Sequence, residues 1–301
     1  MAEVETRELT VPGATLRYDI RSAPTGGATG RATDRATGEN VLFLVGSPMD
    51  AAGFATLASY FTDRTVVTYD PRGTARSQRH DGAAQSTPEE HADDLRQVIE
   101  ALDAGAVDVF ASSGGAVNAL ALVERHGDLV RTLVAHEPPA AQVLPDREAA
   151  LAVIADIHAT YLRDGMGPAM AKFIAVSGRK GLFPADWADE PAPDPAAFGL
   201  PTQDDGSRDD PLLGQNLLTC TGHQPDFTAL QGAPTRIVIA VGQESEGELA
   251  ARAATRIAER LGLAPAVFPS HHGGFLGGEY GQHGAPEAFA KALRHTLEDS
   301  N

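Results

Sequence analysis

Residues 107–120 read VDVFASSGGAVNAL. The apolar, partly β-branched opening suits a strand buried on both faces, and the small-residue run after Gly115 continues as a helix. Between the two the chain has to turn sharply, and only very small side chains fit such a corner. Ala111 and Gly115 lie two positions to either side of Ser113, which makes the segment A-S-S-G-G in place of the usual G-x-S-x-G of a strand–nucleophile–helix turn. A turn of this kind lifts the Ser113 hydroxyl above the strand ends and aims the next backbone N–H, that of Gly114, at the same point. The helix that follows adds its positive N-terminal end. Ser112 fits less well, because its flanking positions are Phe110 and Gly114 and a phenylalanine does not suit the tight side. The plainer alternative is a glycine-rich turn that happens to contain serines, and the strand before it and helix after it argue against that.

Outward from this corner, the chain alternates between the two periods. On the N-terminal side, RELTVPGATLRYDIRSA (7–23) reads as two short strands joined at Pro12-Gly13. PTGGATGRATDRATGEN (24–40) has almost nothing to bury and reads as a flexible surface loop. VLFLVG (41–46) and TVVTYD (65–70) read as strands, with a helix over FATLASYFTD (54–63) between them. TPEEHADDLRQVIEALDA (87–104) reads as a helix with Thr87 as N-cap and acidic residues in its first turn. On the C-terminal side come a strand in RTLVAHE (131–137), another in TRIVIAVG (235–242), a helix in ELAARAATRIAERLG (248–262), a strand in PAVFPS (265–270) and a helix in PEAFAKALRHTLED (286–299). The expected class is α/β, with a mostly parallel, doubly wound sheet. Nearly a hundred residues, partly helical and partly polar and proline-rich, interrupt the alternation. The expected organisation is a core of 1–137 and 235–301 with an inserted, mainly helical cap over 138–234. Such sheets bind ligands beyond the carboxyl ends of their strands, where that insertion leaves the core.

Composition narrows the function classes. The formal charge of −17 over 301 residues repels nucleic acid and anionic membrane surfaces. No apolar run reaches the roughly 18 residues of a membrane span, and the N-terminal MAEVETRELT lacks a signal-like apolar core. The single cysteine, Cys220, excludes an internal disulfide framework and suits a reducing cytoplasm. Neither a nucleic-acid nor a membrane partner has a supporting feature, and the loops carry no signal of an oligomeric interface.

The chain resembles a capped serine hydrolase of the α/β-hydrolase superfamily. The residues that carry the resemblance are VLFLVGSPMD, VVTYDPRGTARS, VFASSGGAVNALALVERHGDLVRTLVAHEPP and VFPSHHGGFL, in that order. The resemblance implies a histidine base after the last strand, where His271 and His272 stand. His272 is preferred because it leads directly into the Gly273-Gly274 turn, and His283 adds too little for a metal site by spacing. Many relatives place an aspartate three residues after the glycine that ends the penultimate strand, but that position is Ser245 here. The remaining acids are Glu244 or Glu246 in the same loop and Glu137 at the end of the earlier strand. Glu137 is favoured and Glu244 is the alternative. An HE dipeptide followed by proline, 24 residues beyond the serine (137 − 113), is similar to the acid placement of zearalenone-type lactone hydrolases. The oxyanion hole implied by the family takes the N–H groups of Gly114 and Ser47, since Pro48 has none. Asp70, Arg72 and Gly73 read as structural.

In the insertion, Trp187 is a candidate substrate contact or a packing residue, and Met49 a candidate lining the mouth beside Asp50. Met166, Met170, Phe173 and Phe183 line a pocket or fill a small core, with helical spacing favouring core. The implied substrate is a small uncharged ester or lactone, with no cofactor and no metal. Two alternatives use the same residues: a cofactor-free perhydrolase or haloperoxidase-like enzyme, and a non-catalytic small-molecule receptor.

Overall fold

The computed structural model describes residues 4–23 and 40–299. The loop expected over 24–40 therefore lies almost wholly outside the described residues. The strands are β1 (Val4–Val11), β2 (Ala14–Arg21), β3 (Val41–Val45), β4 (Thr65–Asp70), β5 (Gln78–Arg79), β6 (Val107–Ser112), β7 (Val130–His136), β8 (Arg236–Gly242) and β9 (Ala266–Phe268). They form one sheet in the order β1-β2-β4-β3-β6-β7-β8-β9, with β5 added on β2. From β4 to β9 every pairing is parallel, while β1 and β2 form an antiparallel hairpin that turns at Pro12-Gly13. Gly13 takes φ +76° there, a conformation that favours glycine.

The helices are α1 (Ala55–Ser59), α2 (Pro88–Leu102), α3 (Gly114–His126), α4 (Arg147–Asp164), α5 (Met166–Ser177), α6 (Leu217–Gly222), α7 (Phe227–Gly232), α8 (Leu249–Leu261) and α9 (Pro286–Glu298). Alternate strand residues feed two apolar layers, which is why the strands read as unbroken hydrophobic runs. Val41, Phe43 and Val45 join the layer filled by Leu95 and Ile99 of α2, Leu120 of α3 and Ile257 of α8. Leu42, Leu44 and Phe110 join the opposite layer, filled by Leu57 of α1 and by Phe289 and Leu293 of α9. Full burial of each such side chain stabilises the fold by about 1.5–3 kcal/mol.

Thr87 caps α2 as expected. Its hydroxyl accepts the Glu90 N–H at 3.2 Å while the Glu90 carboxylate accepts the Thr87 N–H at 3.0 Å. The helix expected over 54–63 is shorter than read: a 3-10 turn over Ala51–Phe54, capped by Asp50, passes into α1 and stops at Ser59. Asp70 and Arg72 serve the scaffold. Asp70 accepts the Ala51 N–H at 3.0 Å and the Arg76 side chain at 2.6 Å, and Arg72 makes two 2.7 Å bonds to the buried Asp94.

Between β7 and β8 lie α4, α5, α6 and α7, with a π-helical turn over Pro211–Asn216 leading into α6. α4 packs on α5 and α6, and α6 on α3. Cys220 of α6 puts its sulfur 3.5 Å from where a side chain on Gly114 would begin, so α6 packs against the start of α3.

Candidate active site

The register of two neighbouring strands assembles the site. β6 and β7 pair in parallel from Asp108↔Thr132 to Ser112↔His136, each residue beside the one 24 further on. The residues that follow this paired stretch are Ser113 and Glu137. The Ser113 N–H donates to the His136 carbonyl at 2.9 Å, and the Glu137 N–H donates to the Ala240 carbonyl at 2.9 Å. Both residues leave their strands with left-handed backbone, φ +57° at Ser113 and +49° at Glu137. For residues with a Cβ such conformations cost about 1–3 kcal/mol each and are held only where the surroundings over-determine them.

The corner is tight for a visible reason. A Cβ on Gly114 would stand 2.5 Å from the Ser47 carbonyl oxygen, and one on Gly115 would stand 2.5 Å from the Val45 carbonyl oxygen. The loop after β3 is thereby pressed onto the start of α3. Ser47 is buried, and neither its N–H nor that of Gly114 is taken by another backbone carbonyl among the described residues. Met49, two residues on, is half-buried and packs beside Gly46 and Gly53.

His272 donates through Nδ1 to Glu137 Oε2 at 2.5 Å, and Glu137 Oε1 accepts the Gly242 N–H at 2.7 Å. Glu137 is fully buried, while the His272 side chain is 39% exposed, so the ring joins the interior to the solvent side. Burial works to raise the Glu137 carboxyl. The hydrogen bond and charge of His272, with smaller help from His136 and the Gly242 N–H, outweigh it and hold the group down at about 2. With Nδ1 committed, His272 Nε2 is left as the proton acceptor.

His271 is committed elsewhere. Its Nδ1 accepts the Gly273 N–H at 3.0 Å and its Nε2 donates to the His283 carbonyl at 3.1 Å. Glu244 is exposed and makes no side-chain hydrogen bond among the described residues; its N–H reaches the Ser270 carbonyl and its carbonyl accepts Lys180. Ser245 is buried with its hydroxyl unpartnered. Of the candidate acids, Glu137 is the one brought to His272.

The Ser113 hydroxyl is half-buried and makes no hydrogen bond among the described residues. A nucleophile–base contact that tightens only with substrate bound is common in unliganded hydrolytic sites. Trp187 lies in a 3-10 turn with the Arg179 guanidinium 4.0 Å over its ring and Phe183 at 6.2 Å. It borders a cavity of about 150 Å³ between α4 and α5, alongside Val153, Ile157 and Val176. Burial pushes the Cys220 thiol up to about 12.

One residue beside the site escaped the sequence reading. His136 is fully buried, with its Nδ1 3.1 Å from Ser112 Oγ and its ring 5.9 Å from that of His272. The signal that would have found it is the 24-residue offset itself, which puts position 136 beside 112.

A family model described as "alpha/beta hydrolase fold" matches residues 39–186. An uncharacterized hydrolase of Bacillus subtilis strain 168, YraK, is 33% identical over 141 residues, 46% of this chain and 47% of that protein. The chain thus spans about half the length of this curated relative. Among solved structures, the enol-lactonase from Burkholderia xenovorans LB400 superimposes with a TM-score of 0.66 at 16% identity, covering 97% of this chain and all of that one. A thermophilic esterase from Thermogutta terrifontis gives 0.60 at 18% identity, covering 97% and 98%. At such identities the likeness is one of fold. The sheet order above and the matched family model together give the chain the α/β-hydrolase fold.

Proposed function

We propose that the protein is a serine hydrolase of small uncharged carboxylic esters or lactones, acting through an acyl-enzyme on Ser113. His272 Nε2 takes the proton of the Ser113 hydroxyl as its oxygen attacks the substrate carbonyl. The N–H groups of Ser47 and Gly114 receive the developing oxyanion. His272 then gives the proton to the departing alkoxide, and in a lactone that alcohol stays attached to the acyl chain. A water, deprotonated by the same nitrogen, attacks the acyl-enzyme, and collapse of the second tetrahedral intermediate releases the carboxylic acid and restores the serine. Glu137 fixes the histidine tautomer and stabilises the imidazolium formed in each half-reaction.

The observation that carries this reading is the 2.5 Å Glu137–His272 bond, made by the residue that follows β7 as Ser113 follows the neighbouring β6. The lactone arm rests on the acid's place after β7, which resembles that of zearalenone-type lactone hydrolases, and on the fold shared with an enol-lactonase. Residues 138–234 act as the cap, and Met49, two residues after Ser47, lines the mouth of the site. Trp187, tied to Arg179 and Phe183, acts on substrate by shaping that cap. No helix among the described residues is long and apolar enough to cross a membrane, and a cytoplasmic location is proposed with the activity.

The test is a panel of p-nitrophenyl esters and lactones turned over by wild type and Ser113→Ala side by side. The variant is expected to fold normally and lose at least about a thousandfold in kcat/KM. Undiminished turnover would remove Ser113 from the mechanism.

A further inference from the structure

Residue 136 adjoins Ser113, Glu137 and His272. Its carbonyl accepts the N–H of Ser113, its chain neighbour is Glu137, and its ring lies near-parallel to that of His272, with 28° between the planes. The rest of its surroundings are aromatic: Phe289 at 5.3 Å, Phe110 at 6.1 Å, Phe268 at 6.2 Å and Phe275 at 6.4 Å between ring centroids. A phenylalanine suits such a cage better than an imidazole does. The Nε2 atom of His136 has no partner among the described residues, and an unpaired buried polar atom is a cost that an apolar ring avoids. Burial, reinforced by the neighbouring His272 and only partly opposed by Glu137, holds the ring down at about 4, so the ring is neutral near pH 7. Among the described residues, the single polar contact its side chain makes is the one from Nδ1 to Ser112 Oγ.

We propose that His136 is a positioning residue for the Ser113–His272 pair. Its ring supports the base from below and ties it, through Ser112, to the end of the strand that carries the nucleophile. Ser112 precedes the strained corner, so this bond fixes how far the corner stands from the imidazole. A displacement of about 1 Å between reacting groups costs on the order of a hundredfold in rate, so the tie acts on catalysis more than on binding. The proposal rests on the serine-hydrolase reading above.

The test compares two replacements whose effects on packing and positioning run in opposite directions. Phenylalanine fills the cage and cannot bond Ser112. Asparagine reaches as far as Nδ1 with a polar atom and leaves a void. Steady-state hydrolysis of p-nitrophenyl acetate, Tm, and the rate of Ser113 labelling by a fluorophosphonate are measured for wild type, His136→Phe, His136→Asn and Ser112→Ala. The expected result is that His136→Phe lowers kcat and labelling rate by about 10- to 100-fold with KM within about twofold. Ser112→Ala should do the same, and the two combined should cost no more than either alone. His136→Asn should stay within about threefold of wild-type kcat although its Tm is the lower of the two. Wild-type rates in His136→Phe, or losses that simply follow Tm, overturn the proposal. If wild type itself is not labelled at Ser113, the hydrolase reading fails and His136 has no pair to position; if wild type is labelled and His136→Phe matches it, only the positioning role fails.

Discussion

The loop after β8 carries Ser245, buried and unpartnered, between the exposed Glu244 and Glu246. A serine hydroxyl cannot balance an imidazolium charge, and neither flanking glutamate reaches His272. Glu137 does, from the end of β7, the strand next to β8, and its second oxygen is fixed by the Gly242 N–H that opens the same β8 loop. Replacing Glu137 by glutamine keeps the size and removes the charge. The expected loss for Glu137→Gln is about 10³–10⁴ in kcat, by analogy with the loss of a triad carboxylate. Glu244→Gln should stay within about twofold, since its carboxylate makes no contact with the site. Steady-state kinetics of the two variants checks this, and the reverse ranking would move the acid to the later loop. Ser113 was legible because its whole environment, strand, small neighbours and helix, is local in sequence. Glu137 was legible only through its spacing from Ser113, and the choice between His271 and His272 needed the bonds that commit His271 to Gly273 and His283.

The end of β7 concentrates unusual chemistry in two consecutive residues. His136 is buried neutral, its folded value lowered from 6.5 to about 4, chiefly by burial. Between those values the unfolded chain binds a proton that the folded one refuses, so stability is fully present above about pH 6.5 and declines as pH falls toward 4. A shift of that size corresponds to about 3 kcal/mol over the window. Glu137 adds a second, lower window: its carboxyl lies at about 2 against an ordinary 4.5, so its contribution is lost only as pH falls below about 4.5. Urea titrations from pH 7 to pH 4 should show falling stability, and His136→Phe should flatten that slope; an equal slope in both proteins would contradict the account. At this scale the sequence was read well wherever period and caps agree, as in α2 with its Thr87–Glu90 box. Reading was poorer where tertiary contacts decide. α1 stops at Ser59, and the two-residue β5 forms because Gln78 and Arg79 pair with Ala14 and Thr15, the end of β2 that lies beyond its pairing with β4. The π-turn at Pro211–Asn216 is tied to the core through Asn216, whose side-chain oxygen pairs with buried His91 at 2.8 Å, a contact 125 residues away in sequence that no local pattern announces.

Across the whole molecule, the segment between β7 and β8 is fastened at both ends. At one, Asp146 pairs with Arg252 of α8, the Gly181 N–H donates to the Gly247 carbonyl at 2.9 Å, and the backbones of Lys180 and Glu248 form an isolated antiparallel β-bridge. At the other, the Ser86 N–H donates to the Gln215 carbonyl at 3.0 Å, and α6 packs against the start of α3. The loop after β8, whose glutamates make no bond to His272 among the described residues, instead holds Gly181 and Lys180 of the segment before it. The alternation of strand and helix made the parallel sheet and the interruption visible in advance, because both follow from periods that a sequence displays. How the insertion docks was not visible, because it depends on pairs such as Asp146–Arg252 that are 106 residues apart. The central claim is that one hydroxyl, held above the sheet by strained backbone, is made nucleophilic by His272 and Glu137. Its most direct test is intact-mass and peptide mass spectrometry after brief exposure to a fluorophosphonate at pH 7.5. The account predicts one adduct per chain, on Ser113, formed within minutes and absent from Ser113→Ala; an unmodified chain, or an adduct on Ser112 or elsewhere, would contradict it.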